Sequence, residues 1–284
     1  MYRSRLFELI FSDKERLLEL YNAVNGTSYN DPNLLEINTL ENVIYMSMHN
    51  DVSFVVDSRL SLYEHQSTYN PNLPLRYLMY VADLFSGMIH GDNQYGRRLL
   101  RLPAPRFIIF YNGMEERPDV EVLRLSDAYT AKEEEPALEL KAVLLNINPG
   151  HNEKLKEASR TLREYAEYTA RVREYTKTMR LEEAVEWAIR ECIREGILKE
   201  FLEKHRAEVK NVSIYEYDEE RVMQMLRQEA IEDGRAEGME QGMEQGIALT
   251  RYLIAHNRLE DLERAAGDSA FRKKLCEEYH IGEQ

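Results

Sequence analysis

Asp51, Glu64 and Gln66 stand in two short apolar stretches whose spacing could do chemistry. The first is Asn50-Asp51-Val52-Ser53-Phe54-Val55-Val56-Asp57, and the second is Leu60-Ser61-Leu62-Tyr63-Glu64-His65-Gln66-Ser67-Thr68. Side chains alternate along a strand, so a strand over 60–66 puts Glu64 and Gln66 on one face and His65 on the other. A hairpin turn at Asp57-Ser58-Arg59 would bring Asp51 toward the Glu64 end. Two carboxylates and an amide converging at a sheet edge form a hard-oxygen site of the kind Mg²⁺ accepts: one or two carboxylates, a main-chain carbonyl and retained waters. The competing reading is that acidic residues flanking strands are simply solvated.

The other chemistry-bearing residues are sparser. Arg76, at the start of an expected helix, is placed either to contact a phosphate or to cap the acidic pair. Arg97 and Arg98, with Arg101 and beside Tyr95, form the one basic cluster of the first half; it suits phosphate contact or an ordinary solvated loop. His65 reads as a packed strand histidine rather than a side-chain ligand. None of the seven histidines has a zinc-ligand spacing such as H-E-x-x-H. The run Gly234–Gly246 follows no strand and lacks the Gly-Lys-Ser/Thr ending of a phosphate loop.

The elements that must position these groups can be read from periodicity. Residues 1–25 read as one helix, with Ser12 and Glu15 as a capping box and Gly26 as its stop. Strands are expected over 52–57 and 60–66. Asn70-Pro71-Asn72-Leu73-Pro74 breaks the chain before a helix over about 75–89. Phe107–Tyr111 is continuously apolar and ends at Asn112-Gly113, as a buried central strand would. Residues 138–147 form one more strand. Beyond Gly150 the pattern is helical: 152–178, then Leu181 to Cys192 up to Gly196, then a third helix from Ile197. Three regions are thus expected: an α/β core over 1–150, a helical region over 151–230, and a glycine-repeat segment with a helical tail over 231–284. Gly234, Gly238, Gly242 and Gly246 recur every four residues, and each costs about 1 kcal/mol relative to alanine inside a helix. The repeat is either a flexible linker or a strip on which a second helix packs.

Composition limits the function classes. The 284 residues carry 37 Lys+Arg against 51 Asp+Glu, a formal charge of −14, which argues against coating nucleic acid by bulk charge. It leaves room for an enzyme that grips phosphate locally. No apolar run approaches the ~18 residues of a membrane span. The charged N-terminus lacks a signal-peptide core, so a cytoplasmic protein with no membrane partner is expected. Cys192 and Cys276 are too few and too far apart for a disulfide scaffold or a cysteine zinc site.

Several of these stretches together resemble a known family. Asn50-Asp51 before an apolar strand, Glu64-His65-Gln66-Ser67-Thr68, and Asn70-Pro71-Asn72-Leu73-Pro74-Leu75-Arg76 look like the recombination-promoting nuclease (Rpn) and transposase-like branch of the PD-(D/E)XK nuclease superfamily. Pro105-Arg106-Phe107-Ile108-Ile109-Phe110-Tyr111-Asn112-Gly113, Leu123–Ala128 and the helical tail with its glycine repeat extend the likeness over most of the chain.

The resemblance implies a restriction-endonuclease-like α/β core, a small mixed sheet flanked by helices, followed by an all-helical region. It implies a Mg²⁺-dependent DNA endonuclease, with Mn²⁺ as an alternative ion. Asp51 matches the family's first acid and Glu64 its second; these, with the His65 main-chain carbonyl, would hold the metal. Gln66 stands where the wider superfamily has a lysine and would align the attacking water by hydrogen bonding alone. Glu41 is a possible extra acid, or else a helix-start carboxylate. DNA is the implied partner, contacted by Arg76, Arg97 and Arg98, and a homodimer or higher homo-oligomer fits double-strand cutting. The alternative is a nuclease-fold protein without useful turnover, acting in DNA binding or protein interaction; the missing lysine, the acidity and the long tail motivate it.

Overall fold

The computed structural model describes residues 5–37, 52–89 and 95–281. Its first residues already depart from the expected single helix. Two helices form, α1 (Arg5–Phe11) and α2 (Lys14–Asn25). The cap is Asp13 rather than Ser12: the Asp13 carboxylate accepts from the Glu15 and Arg16 amides at 3.1 Å, while the Ser12 hydroxyl donates to the Leu9 carbonyl. A carboxylate at this position satisfies two amides that the new helix leaves without partners. Gly26, at φ 64°, closes α2 in the left-handed conformation.

A two-residue strand β1 (Glu36–Ile37) precedes the hairpin of β2 (Val52–Val56) and β3 (Arg59–Gln66). Asp57 and Ser58 both take positive φ, 47° and 58°, the two-residue turn whose twist matches an antiparallel pair. Helix α3 (Leu73–Met88) follows, with Pro74 in its first turn where no amide hydrogen bond is lost. Then come β4 (Ala104–Tyr111), β5 (Val120–Arg124) and β6 (Lys141–Asn146). The sheet order is β1-β2-β3-β4-β6-β5. It is antiparallel from β1 to β3, parallel from β3 through β4 to β6, and antiparallel again at β5. Phe107–Tyr111 lies in the interior strand β4, paired on both sides. The result is a mixed sheet flanked by helices, with a helical C-terminal region.

The alternation of β3 and β4 separates two cores. Val52, Phe54, Val56, Tyr63, Ile108 and Phe110 face α1, α2 and a group of later helices. Leu60, Leu62, Phe107, Ile109, Tyr111 and Leu144 face α3, which contributes Leu73, Tyr77, Tyr80, Val81 and Leu84. At about 1.5–3 kcal/mol per large apolar side chain buried, these layers fix the register of β3 against any one-residue slip.

The later helices are α4 (Glu153–Ala158), α5 (Arg160–Thr176), α6 (Leu181–Glu195), α7 (Lys199–Lys204) and α8 (Arg206–Ala255). The helix expected over 152–178 is broken at Ser159, whose φ of −123° ends α4 and whose hydroxyl accepts from the Leu162 amide to start α5. Gly196 closes α6 at φ 83°. Leu162, Tyr165, Tyr168, Val185, Ile189, Cys192, Leu202 and Val209 share the core of the first sheet face. The boundary expected at 150 therefore marks a change of secondary structure, not of packing unit, because the sheet needs these helices to cover that face. Contacts divide the chain after Glu220 instead, within α8.

The second unit, from Arg221, holds the rest of α8 with α9 (Leu259–Gly267) and α10 (Ser269–Glu278) around Leu249, Leu253, Ala265 and Leu275. The glycine repeat is helical throughout, so it is not a coiled linker. A methyl group placed on any of its four glycines meets no described atom within 4 Å. Among the described residues no helix is long and apolar enough to cross a membrane.

Candidate functional site

Strand β3 carries the candidate residues at its C-terminal end. Glu64 and Gln66 point to the α3 face. His65, between them, points into the opposite core, where its ring lies 5.7 Å from that of Phe7 and 5.4 Å from that of Tyr165. The Gln66 amide donates to Glu64 Oε1 at 2.6 Å. Because only the amide nitrogen can donate to a carboxylate, this bond also orients Gln66 and leaves its carbonyl oxygen as an acceptor.

Helix α3 supplies the third member. Its N-terminal turn lies beside the end of β3, and Arg76 reaches across so that Nη2 sits 3.0 Å from Glu64 Oε1. The same guanidinium donates through Nε and Nη2 to the Tyr80 hydroxyl at 3.3 and 2.9 Å. Tyr80 is four residues along α3, on the same helical ridge, and fixes the direction of the arginine. Tyr80 was not among the residues expected at the site; the signal for it is that i, i+4 spacing from Arg76.

The Glu64 side chain is 2 % exposed, and its two oxygens are treated unequally. Oε1 accepts from both Gln66 and Arg76. Oε2 is buried and has no hydrogen-bond partner among the described residues. Burial pushes the Glu64 pKa up, against the opposing pull of the Arg76 charge and the hydrogen bonds from Gln66 and Arg76, to about 7. Burial acts to lower the Arg76 pKa, but Glu64 and Tyr80 outweigh it and the guanidinium stays charged. His65 is held neutral by burial and by the Arg173 charge, its pKa lowered to about 3, with Asn112 as a hydrogen-bond partner.

The main chain adds one more acceptor. The Gln66 carbonyl accepts from the Asn112 amide at 3.1 Å, on the β4 side. Successive carbonyls in a strand point to opposite neighbours, so the His65 carbonyl is directed to the β2 side, where the described pairing runs up to Val52 opposite Tyr63.

Comparison with protein-family models, curated proteins and solved structures gives no match.

Asp51 and Glu41 lie outside the described residues. Among the described residues no three His, Cys, Asp or Glu side chains converge as a metal-binding group. Glu64 offers what a hard cation uses, a buried carboxylate oxygen without a donor, and its fit to Mg²⁺ depends on a second carboxylate such as Asp51. Arg76 rests on Glu64 in this chain rather than extending into solvent. Arg97 and Arg98 are exposed and precede β4, whose first residue, Ala104, is opposite Arg59. Glu64 is five residues further along β3, roughly 16 Å at ~3.3 Å per residue. That basic cluster thus leads into the end of the sheet away from Glu64, and the two are not brought together at one phosphate.

Proposed function

We propose that this chain is a divalent-metal-dependent DNA endonuclease of the PD-(D/E)XK type, in the Rpn branch that its motifs resemble. The observation that carries the reading is the Glu64 carboxylate: buried on the sheet, hydrogen-bonded to Gln66 through one oxygen, and without a donor on the other. Burying a carboxylate in this way is costly unless a cation or a proton completes it.

The reading assigns the ion to Glu64, Asp51 and the His65 carbonyl, and it requires Asp51 to continue the β2–β3 pairing beyond Val52. When bound, such an ion lowers the pKa of a water and neutralises the scissile phosphate. Gln66 spends its N–H on Glu64 and presents its carbonyl oxygen to a water, which aims that water without taking its proton. His65 anchors the strand from the opposite core by packing, and its neutral ring adds no charge there. Arg76 supplies the positive charge that Gln66 lacks.

Purified protein is expected to nick or cut plasmid DNA with Mg²⁺ or Mn²⁺. Glu64→Ala and Asp51→Ala should each abolish cutting while leaving the circular dichroism spectrum folded. Cleavage that survives both changes overturns the assignment.

One observation favours the second reading, a DNA-binding or interaction module without turnover: the Arg76–Glu64 ion pair, which offers Glu64 a protein cation in place of a metal. DNA binding in Ca²⁺ without any product in Mg²⁺ would select it.

A further inference from the structure

We propose that Arg76 is a phosphate-binding residue that exchanges Glu64 for a nucleic-acid phosphodiester, so that nucleic-acid binding and cation binding at Glu64 strengthen each other; the inference rests on the nuclease reading of this site. Gln66 is uncharged, and the guanidinium that touches Glu64 comes from the facing helix, at 3.0 Å. A divalent cation brought to the same carboxylate would be placed against that guanidinium in a largely water-excluded setting, where like charges repel far more strongly than in water.

One of the two must give way, and exposure decides which. The Glu64 side chain is 2 % exposed and clamped by Gln66, whereas the Arg76 side chain is 22 % exposed. Tyr80 offers a pivot, since Nε and Nη2 both donate to its hydroxyl and the guanidinium can turn about that contact. On Glu64, Arg76 reaches only an oxygen that Gln66 already uses. A phosphodiester presents two unshared anionic oxygens that match the guanidinium fork. Substrate thus draws Arg76 away and clears Glu64 for the cation, and by linkage the cation releases Arg76 for substrate.

The test is calorimetric titration of Ca²⁺ into the full chain, alone and with a short DNA duplex, with no turnover required. In the wild type, DNA should tighten Ca²⁺ binding roughly tenfold, within the usual range of couplings between sites. Arg76→Met should bind Ca²⁺ without DNA at least as tightly as the wild type and show no tightening by DNA. Arg76→Lys, which keeps the charge but not the fork, should show an intermediate coupling and provides the readout if the methionine variant fails to fold. Coupling that survives in Arg76→Met, no coupling in the wild type, or weaker Ca²⁺ binding by Arg76→Met without DNA each overturns the exchange. Ca²⁺ binding that is absent, or unchanged in Glu64→Gln, overturns the metal site itself and the exchange with it.

Discussion

Glu64 and His65 are consecutive residues whose side chains lie in different cores on opposite faces of one sheet, and burial drives both toward their uncharged forms. For the carboxylate that means a raised pKa, and for the imidazole a lowered one. Their contributions to stability therefore depend on pH in opposite senses.

Glu64 holds its proton more tightly in the folded chain than in the unfolded one. Its contribution is fully present below the ordinary carboxylate pKa of 4.5 and is lost as pH rises through about 7. With EDTA present, the stability difference between wild type and Glu64→Gln should fall by roughly 1–3 kcal/mol from pH 4 to pH 8. Urea unfolding at both ends of that window measures it, and a flat difference contradicts the burial of an uncompensated oxygen.

His65 behaves oppositely, because the unfolded chain takes up the proton first. Its contribution is present above 6.5 and lost as pH falls toward about 3. His65→Phe keeps a ring against Phe7 and Tyr165, so its acid unfolding should be shallower than that of the wild type between pH 6.5 and 4. An identical acid limb in the two proteins would show that another group sets it.

Gly113 is a third point of leverage. A methyl group there would lie 2.4 Å from the Ser67 carbonyl oxygen and 2.4 Å from the Tyr111 hydroxyl. Ser67 directly follows Gln66, so relief of the clash displaces the end of β3. Gly113→Ala should cost about 1–3 kcal/mol in urea unfolding and reduce metal-dependent cleavage. Wild-type stability in this variant would mean that the loop shifts freely.

The glycine repeat is tested by adding methyl groups. Because none of the four meets a described atom, Gly238→Ala with Gly242→Ala should raise helix stability by roughly 2 kcal/mol in a chain that acts alone. Thermal melts with light scattering read this directly. Lower stability together with a lower mass would reveal a second backbone packed on the ridge.

Much of this arrangement was legible before any coordinates. The Asp57-Ser58 turn and the alternation through Leu60, Leu62, Glu64 and Gln66 are local signals, and local chemistry decides them. The Pro74 helix start and the interior position of Phe107–Tyr111 were equally direct. What escaped depends on competition or distance. Asp13 outbid Ser12 as a cap because a carboxylate reaches two amides. Strand β5 shows a mostly exposed edge and no clean alternation, since only its Leu123 is buried. The Arg76–Glu64 contact joins a helix to a strand across a loop, and no periodicity reports on it. The continuation of the core beyond Gly150 escaped for the same reason: helical pattern reveals an apolar face but not the surface it covers.

The two sheet faces are unequally roofed. One is sealed by several helices with interlocked aromatic rings; the other has α3 as its main helix. Amide protons of α3 should therefore trade with deuterium sooner than those of β4, and the first breath of the sheet domain would be taken at the helix that carries Arg76.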